Sequence, residues 1–520
     1  MAYNFTNRMG YFDILNMTMS ALGARLEPED VERLARTRNY WNFFEGFHWE
    51  NIPNSDKPQV TENYCRAFVN KFVAFELGSG FNIKMKPEVE DKILPFLNDV
   101  WEDNDKLQLC AEFGQMKSVT GDGWLQVMYE PKLIDGLPNP NFNDPYDEYE
   151  KGRIRILSVP SNICFPRYDN GYDKSKLLNF TVMYPIVLDL PNGSGTRQAL
   201  YKQVWTDKEV EISIGNEVVQ KQENKYGRIP FFHIRNLPLG GRNFGLSDLE
   251  DLIPSNMELN LKKSDVSEII DYHSAPVTVV FGARIGQLEK GANKVWGGLP
   301  KDAKVQNLAL EGDLKASVDY INSTKSSMHE VGGVPESALG KTQAISNTSG
   351  VAMQIMLMPL IERINMKRAF TSEGLVEVNK FILKIAFEEG MLKKPEGIKN
   401  KDLYFNEIIF EDNLPKDRLV EIQQLQLEMK LGLCDREEAM KRLGKKNIHK
   451  RITEIDADRK KYPEVYGLQT EEQKEIEMFQ VKSKGLDVMQ RPIGTNKAGN
   501  DSQVNSGVTN STTKQNDNNS

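Results

Sequence analysis

The spacing of apolar residues predicts helices over most of the chain. Over 351–390 they recur at every third or fourth position, as on one face of an amphipathic helix. The same spacing covers 245–273, where Ser247 followed by Glu250 has the pattern of a capping box and predicts the helix start. Pro359 interrupts the hydrogen bonding of its helix, so we expect a kink there. Further helices are predicted over 1–55, 61–78, 88–119, 313–331 and 416–480.

Strand signals dominate between about 124 and 236, in short runs such as RIRILSVP and LNFTVMYPIVLDL that are separated by turn residues. Weaker strand signals occur within 276–311 and over 401–412. Since helical segments outnumber the strands, the predicted fold class is α+β and mainly helical. The final segment, 483–520, is rich in Asn, Ser and Thr and has too few apolar residues to form a core, so it is predicted to be disordered.

Composition narrows the classes of function. The formal net charge of −8 disfavours tight duplex binding, which depends on clustered Lys and Arg. Four widely spaced cysteines form no CxxC pair and indicate reduced thiols, as in a protein assembled in the cytoplasm. The N-terminus lacks the pattern of a signal peptide, and no stretch is apolar and long enough for a transmembrane helix.

The search for catalytic and metal-binding patterns finds none. The five histidines form no HxxxH or HExxH spacing, and there is no GxSxG motif, so no metal, cofactor or enzymatic activity is predicted. Gly340-Lys341-Thr342 has the ending of a P-loop. The first glycine of that motif would fall at Pro335, which has no N–H for a phosphate, and a predicted helix precedes it where a P-loop requires a strand.

The charge changes sign between two neighbouring segments. Residues 247–272 contain seven acids and two lysines, for a net charge of −5, and residues 273–311 contain five bases and three acids, for +2. One interpretation is an ordinary solvated helix followed by a surface module. The other is an acidic wall that repels phosphates and lets DNA slide past it. The acids predicted to form this wall are Glu258, Asp265, Glu268 and Asp271.

The order of these segments resembles the portal proteins of tailed double-stranded DNA bacteriophages over roughly residues 30–480. The resemblance is carried by four stretches in a fixed order: VTENYCRAFVNKFVAFELGSGFNIK, GDGWLQVMYE, the long stretch from HIRNLPLGG to APVTVVFG, and TSGVAMQIMLMPLIERINMKRAF. Such proteins form a ring, commonly dodecameric, around a central channel.

The resemblance implies that each segment of the chain forms one part of a portal subunit. These parts are N-terminal helices and a β-rich wing (1–240), the first stem helix (241–272), a small α/β clip (273–311), the second stem helix (312–333), the tunnel loop (334–350), a kinked tunnel helix (351–394), a return to the wing (395–415), a helical crown (416–482) and the tail (483–520).

The resemblance also implies two sets of functional residues. The tunnel loop would face DNA through Lys341, Thr342, Gln343, Ser346, Asn347 and Thr348. The clip would bind partners through Arg284, Lys290, Lys294, Trp296, Lys301 and Lys304. Two questions stay open. The alternative to a tunnel loop is a disordered connector in which Lys341 is incidental, and Trp296 is either an anchor for partners or a seal between subunits.

The implied function is mechanical. The ring would lie at one capsid vertex of the virion, admit and release double-stranded DNA without sequence preference, and dock the large terminase and a head–tail adaptor. Major capsid and scaffolding proteins would be further partners, and no membrane is involved. Two alternatives are a nucleotide-driven DNA motor and a minor capsid assembly protein without a channel.

Overall fold

The computed structural model of the protein describes fourteen stretches of the chain. These are residues 26–50, 58–134, 137–142, 151–169, 177–189, 196–274, 278–281, 300, 302, 304–307, 314–340, 350–411, 418–444 and 448–462. The chain divides into two compact units, Met1–Pro415 and Lys416–Ser520. Among the described helices, none combines the length and the apolar character needed to cross a membrane.

Four helices open the first unit. They are α1 (Pro28–Glu45), α2 (Tyr64–Leu77), α3 (Pro87–Asp103) and α4 (Lys106–Thr120). Prolines at the first turn of α1 and α3 suit positions whose N–H would have no helical partner. Asn63 caps α2, where its side chain accepts a hydrogen bond of 2.8 Å from the backbone N–H of Arg66. The left-handed backbone of Gly121, with φ of 88°, ends α4.

Two antiparallel sheets follow the helices. Their strands are β2 (Asp122–Pro131), β5 (Gly152–Val159), β6 (Cys164–Tyr168), β7 (Leu177–Asp189), β8 (Thr196–Trp205), β9 (Glu209–Ile214), β10 (Glu217–Glu223) and β11 (Phe231–Arg235). One sheet has the order β10-β9-β8-β7-β6 and the other β11-β2-β5. Two-stranded pairs are formed by β1 (Asn82–Lys84) with β14 (Glu407–Ile409), and by β3 (Leu133–Ile134) with β4 (Leu137–Pro138).

The second half of this unit carries three long helices. These are α5 (Leu252–Ser274), α6 (Leu314–Gly332) and α7 (Gly350–Glu388), and a two-stranded antiparallel pair, β12 (Thr278–Phe281) and β13 (Lys304–Asn307), lies between the first two. The segment predicted as one strand over 401–412 instead contains the short helix α8 (Asn400–Leu403) before β14. α7 continues through Pro359 without a break.

Helix α5 begins at Leu252 and not at the predicted capping box. Ser247 Oγ donates a hydrogen bond of 2.6 Å to the carbonyl of Val119 and accepts one from the N–H of Leu249. These bonds hold 247–251 in a turn that packs on α4. The local capping pattern was therefore outcompeted by tertiary hydrogen bonds, and the helix starts one turn later.

The main cores of the first unit meet along α7. Val378, Phe381 and Ile382 pack with residues of α3, α4 and the β11-β2-β5 sheet, whereas Leu360 and Ile364 pack with α1, α2 and α5. α7 therefore lies against both the helical and the β-rich parts of this unit.

The second unit contains three described helices, α9 (Arg418–Lys430), α10 (Arg436–Arg442) and α11 (Ile448–Lys461). Leu425, Cys434 and Ala439 form its small core. An ion pair of 2.5 Å between Arg436 and Asp456 joins α10 to α11. The helices expected over 416–480 are present as far as Lys461, and the predicted tail over 483–520 lies outside the described residues.

Candidate functional site

Helices α5 and α6 pack side by side and lead to and from the β12–β13 pair. Leu259 on α5 and Ile321 on α6 are buried in the same core cluster. Nearer the solvent, the Tyr320 hydroxyl donates a hydrogen bond of 3.3 Å to Glu258 Oε1. The chain thus builds a two-helix column with a β-pair between its helices, and the apolar periodicity of both segments predicted these helices.

Of the predicted acidic residues, Glu258 and Asp265 lie seven positions apart on one face of α5, and Glu268 and Asp271 continue the row at steps of three residues, which turn it around the helix axis. Glu258 and Asp265 are partly buried, and Glu268 and Asp271 are exposed. Lys262 lies among them, with its Nζ 3.9 Å from a Glu258 oxygen and 3.5 Å from an Asp265 oxygen. We call this row of four carboxylates the acidic face, and Lys262 partly neutralises its first half. Its most exposed negative charge lies towards the β12–β13 end.

A different face of α5 carries a ladder of buried polar side chains that the sequence analysis missed. Asn256, Asn260 and Ser264 accept hydrogen bonds of 3.2, 2.9 and 3.0 Å from backbone N–H groups of the segment 60–65. All three residues are buried. Their spacing of four residues places them on one helix face, which is the signal that could have revealed them. The ladder fastens the N-terminal region to the column.

Two glycines bound the connection that leaves α6. Gly333 has φ of 65°, and Gly340, with φ of 89°, ends the short 3-10 turn Glu336–Leu339. Within this connection, His329 Nδ1 donates a hydrogen bond of 2.7 Å to the carbonyl of Val334, and Lys325 pairs with Glu336 at 2.6 Å. The start of the connection is therefore fixed to α6.

Most of the residues predicted for partner and DNA contacts lie outside the described residues. These are Lys341, Thr342, Gln343, Ser346, Asn347 and Thr348 of the predicted tunnel loop, and Arg284, Lys290, Lys294, Trp296 and Lys301 of the predicted clip. Lys304 is described: it is exposed on β13, opposite Phe281 of β12. The Phe281 side chain is 54% exposed, so this pair presents one basic and one aromatic side chain together.

The first half of α7 has two different faces. Leu357, Leu360 and Ile364 are buried, whereas Ile355 and Met358 are 68% and 53% exposed. Exposed large apolar residues that follow one another on a helix mark a surface that other proteins cover. This half of the helix directly follows the predicted tunnel loop.

The middle of α7 is fixed by ion pairs that the sequence analysis also missed. Lys367 Nζ donates a hydrogen bond of 2.7 Å to Asp248 Oδ2, and Arg363 NH2 lies 2.9 Å from Asp248 Oδ1. The hydroxyl of Ser118 donates to the same carboxylate. Asp248 stands in the turn that precedes α5, so these contacts join α4, α5 and α7.

A second carboxylate completes this arrangement. Glu76, at the end of α2, pairs with Lys117 of α4 and lies 3.4 Å from Lys367 Nζ. The Thr371 hydroxyl accepts from Lys117 and donates to Glu76, with distances of 2.6 Å for both. We call Glu76, Lys117, Asp248 and Lys367 the buried charge cluster, because each of these side chains is fully buried. Its two acids and two lysines balance in charge.

The partners in the cluster change the protonation equilibria. Burial alone would raise the pKa of the Asp248 carboxyl, but the charges of Lys367 and Arg363 outweigh burial and hold that pKa well below its usual range. Lys117 and Lys367 likewise outweigh burial at Glu76 and lower its pKa. Burial lowers the pKa of Lys117. Both carboxyl groups therefore remain ionised at neutral pH.

One polar triad in the β-rich region resembles catalytic groups in composition only. His233 Nε2 lies 2.7 Å from Asp122 Oδ1, and its Nδ1 lies 3.2 Å from the hydroxyl of Tyr168. Asp122 Oδ1 also accepts from the N–H of Gly245 at 2.8 Å. Burial raises the pKa of Tyr168, so its hydroxyl stays protonated and cannot act as an activated nucleophile. The triad fastens the strands to the chain that leads into α5.

The described stretches contain no group of three His, Cys, Asp or Glu side chains that could hold a metal ion. The four cysteines are buried free thiols. Within the described stretches, the main polar arrangements are thus the asparagine ladder, the acidic face and the buried charge cluster. All three involve α5, the turn before it, or α7.

Comparison with known proteins gives a family match over most of the chain. A protein-family model described as phage portal protein, SPP1 Gp6-like, matches residues 26–464. No curated protein matches the sequence. Among solved structures, a chain from the virion of a native gene transfer agent particle is similar, with 13% identity and a TM-score of 0.38, over 78% of this chain and 93% of that chain.

Proposed function

The chain belongs to the SPP1 Gp6-like family of phage portal proteins, and we propose that its subunits form a closed ring through which double-stranded DNA enters and leaves a capsid. The match over residues 26–464 carries this proposal and confirms the resemblance predicted from the sequence. The ring stands at one vertex of the virion and is assembled in the host cytoplasm. We expect it to be dodecameric.

We assign the parts of the subunit on this basis. α5 and α6 are the stem, with the clip (273–311) between them, and α7 is the tunnel helix that follows the tunnel loop (334–350). The wing comprises 1–240 and 395–415, and α9–α11 belong to the crown (416–482). The glycines at the two ends of the described connection, Gly333 and Gly340, support a loop that can change direction at both points.

The acidic face of α5 supports a channel that DNA passes without adhering. Glu268 and Asp271 are exposed on the part of α5 that leads to the β12–β13 pair. In a ring, each exposed carboxylate is repeated in every subunit, so the repulsion of phosphates is multiplied around the channel. The Lys341 side chains of the tunnel loops form a ring of positive charges, which attract the DNA phosphates weakly.

The clip is the docking platform for the large terminase and later for a head–tail adaptor. The exposed Phe281, which lies opposite Lys304, supports this assignment, since aromatic side chains are enriched at protein interfaces. Trp296 either joins this surface or seals the contact between subunits. Major capsid and scaffolding proteins contact other parts of the ring.

The nucleotide-driven motor is a weaker alternative. Pro335 stands immediately before the 3-10 turn Glu336–Leu339, and the preceding element is helix α6, where a P-loop would need a buried strand. The portal family is a structural one, and we propose that the chain has no enzymatic activity and needs no cofactor. A capsid assembly protein without a channel is the second alternative.

Negative-stain electron microscopy with mass photometry of the full-length protein tests the proposal. We expect closed rings with a central hole and no binding of ATP, either by the natural chain or by Lys341→Ala. Binding of ATP that Lys341→Ala abolishes would establish the motor. Open assemblies that never close, at any protein concentration, would establish the assembly protein without a channel.

A further inference from the structure

Within the buried charge cluster, Lys367 has a special position. Its Nζ lies 2.7 Å from Asp248 Oδ2 and 3.4 Å from Glu76 Oε2, so it contacts both buried acids. It is also the member of the cluster that α7 contributes. The contact between α7 and the turn before α5 is therefore ionic, directional and closed to water.

Such a contact resists sliding. An ion buried without its partner is strongly destabilised, because it has lost its hydration and gained no opposite charge in exchange. A shift of α7 along its axis would leave Asp248 and Glu76 without Lys367. The backbone of Asp248 is itself fixed, because its N–H donates to the carbonyl of Ser118 at 3.0 Å. α7 and this turn therefore move together or remain in place.

The contact between Asp248 and Lys367 joins two helices that are far apart in the chain. Asp248 precedes the first residue of α5, Leu252, by one helical turn, and α5 continues to the β12–β13 pair. Lys367 lies two turns beyond Pro359 in the helix that follows the residues 341–349. The ion pair between Lys367 and Asp248 therefore connects α7, the helix that follows residues 341–349, with α5, the helix that leads to the β12–β13 pair.

We propose that Lys367 is a positioning residue that couples the tunnel helix to the first stem helix through Asp248. A displacement of α7 by DNA is carried to the start of α5 and along it to the clip, where the terminase docks. Arg363, whose side chain is 23% exposed, is the outer half of the same contact. The functional meaning of the coupling rests on the proposed function, whereas its existence does not.

Hydrogen exchange measured by mass spectrometry on the full-length protein tests the coupling. Lys367→Met is the main variant, and Lys380→Met is the matched control, because Lys380 forms a half-exposed ion pair with Glu377 on the same helix. In Lys367→Met we expect exchange to become at least about tenfold faster both near residue 367 and in the first turns of α5. The control should change neither.

Two further variants keep the test decisive. If Lys367→Met does not fold, Arg363→Gln should still speed exchange at the start of α5, because its side chain is at the edge of the cluster. In the double variant Asp248→Asn/Lys367→Met, removal of both charges should recover resistance to urea, but exchange at the start of α5 should remain fast. If Lys367 only stabilised the fold, the double variant would recover both the resistance to urea and the slow exchange at the start of α5.

The coupling is overturned if exchange increases only within α7, or if the double variant restores the protection of α5. The proposed function has a separate readout. The ring is scored by mass photometry, so absence of rings counts against the portal channel, while the comparison of exchange rates still decides the coupling.

Discussion

Gly374 of α7 lies so close to Ile234 of β11 that a Cβ on the glycine would be 2.3 Å from Ile234 Cγ1. Helix and sheet approach each other here at backbone distance. Because α7 also carries the buried ion pairs, this close approach fixes where its second half lies against the β11-β2-β5 sheet. The absence of a side chain at residue 374 is therefore a condition of the fold.

We predict that Gly374→Ala destabilises the protein by about 1–3 kcal/mol, because the new methyl group must displace a packed isoleucine. The measurement is the free energy of unfolding in urea. Gly240→Ala is the control, since nothing lies within 4 Å of a Cβ at that position. Equal stability of the two variants would show that the sheet and helix can separate without cost.

The asparagine ladder provides a second prediction. Asn260 is fully buried and accepts from the N–H of Glu62 at 2.9 Å, so Asn260→Ala leaves this partly buried donor without its partner. We expect a loss of about 1–3 kcal/mol in stability and faster exchange at the amide of Glu62. Ser323→Ala on the exposed face of α6 should change neither. Unchanged exchange at Glu62 would contradict the ladder.

The third prediction concerns pH. The pKa values of Asp248 and Glu76 are lower in the folded protein than their ordinary values. Their contribution to stability is therefore present above the unfolded pKa of about 4, and is lost as pH falls through the folded pKa.

We expect the urea midpoint of the natural chain to fall as pH is lowered below about 4. Asp248→Asn should be less stable at neutral pH and should show a smaller fall on acidification, because one of the two carboxyls no longer titrates. An identical pH profile for both proteins would mean that Asp248 does not contribute in the manner described.

The fourth prediction tests the proposed role of the acidic face of α5. Glu268→Lys/Asp271→Lys should increase the affinity of assembled rings for double-stranded DNA, and the increase should shrink as salt is raised. The control is Glu88→Lys/Asp91→Lys, which makes the same change of charge at exposed positions of α3. If both variants bind DNA equally well, net charge and not the position of the stem acids governs adhesion.

Much of the architecture follows from the spacing of apolar residues and from the order of the segments along the chain. The apolar spacing in α2, α5, α6 and α7 and the alternation in the β-rich region predicted elements that the structure contains, because a helix face or a strand face can be identified within a few turns of chain. The proline at 335 and the helix before it were enough to argue against a phosphate-binding loop. The family was identified from the same order of segments.

The tertiary structure decided what local patterns cannot encode. Asp248 and Lys367 are 119 positions apart. The residues next to each of them in the sequence do not indicate that its side chain is buried or that the two form an ion pair. Ser247 had the pattern of a helix cap, but its contact with Val119 moved the start of α5 to Leu252. A charged or polar side chain is buried only where distant segments supply its partners. The sequence by itself therefore determined the elements and their family, whereas packing alone determined which charges hold α7 to the turn before α5.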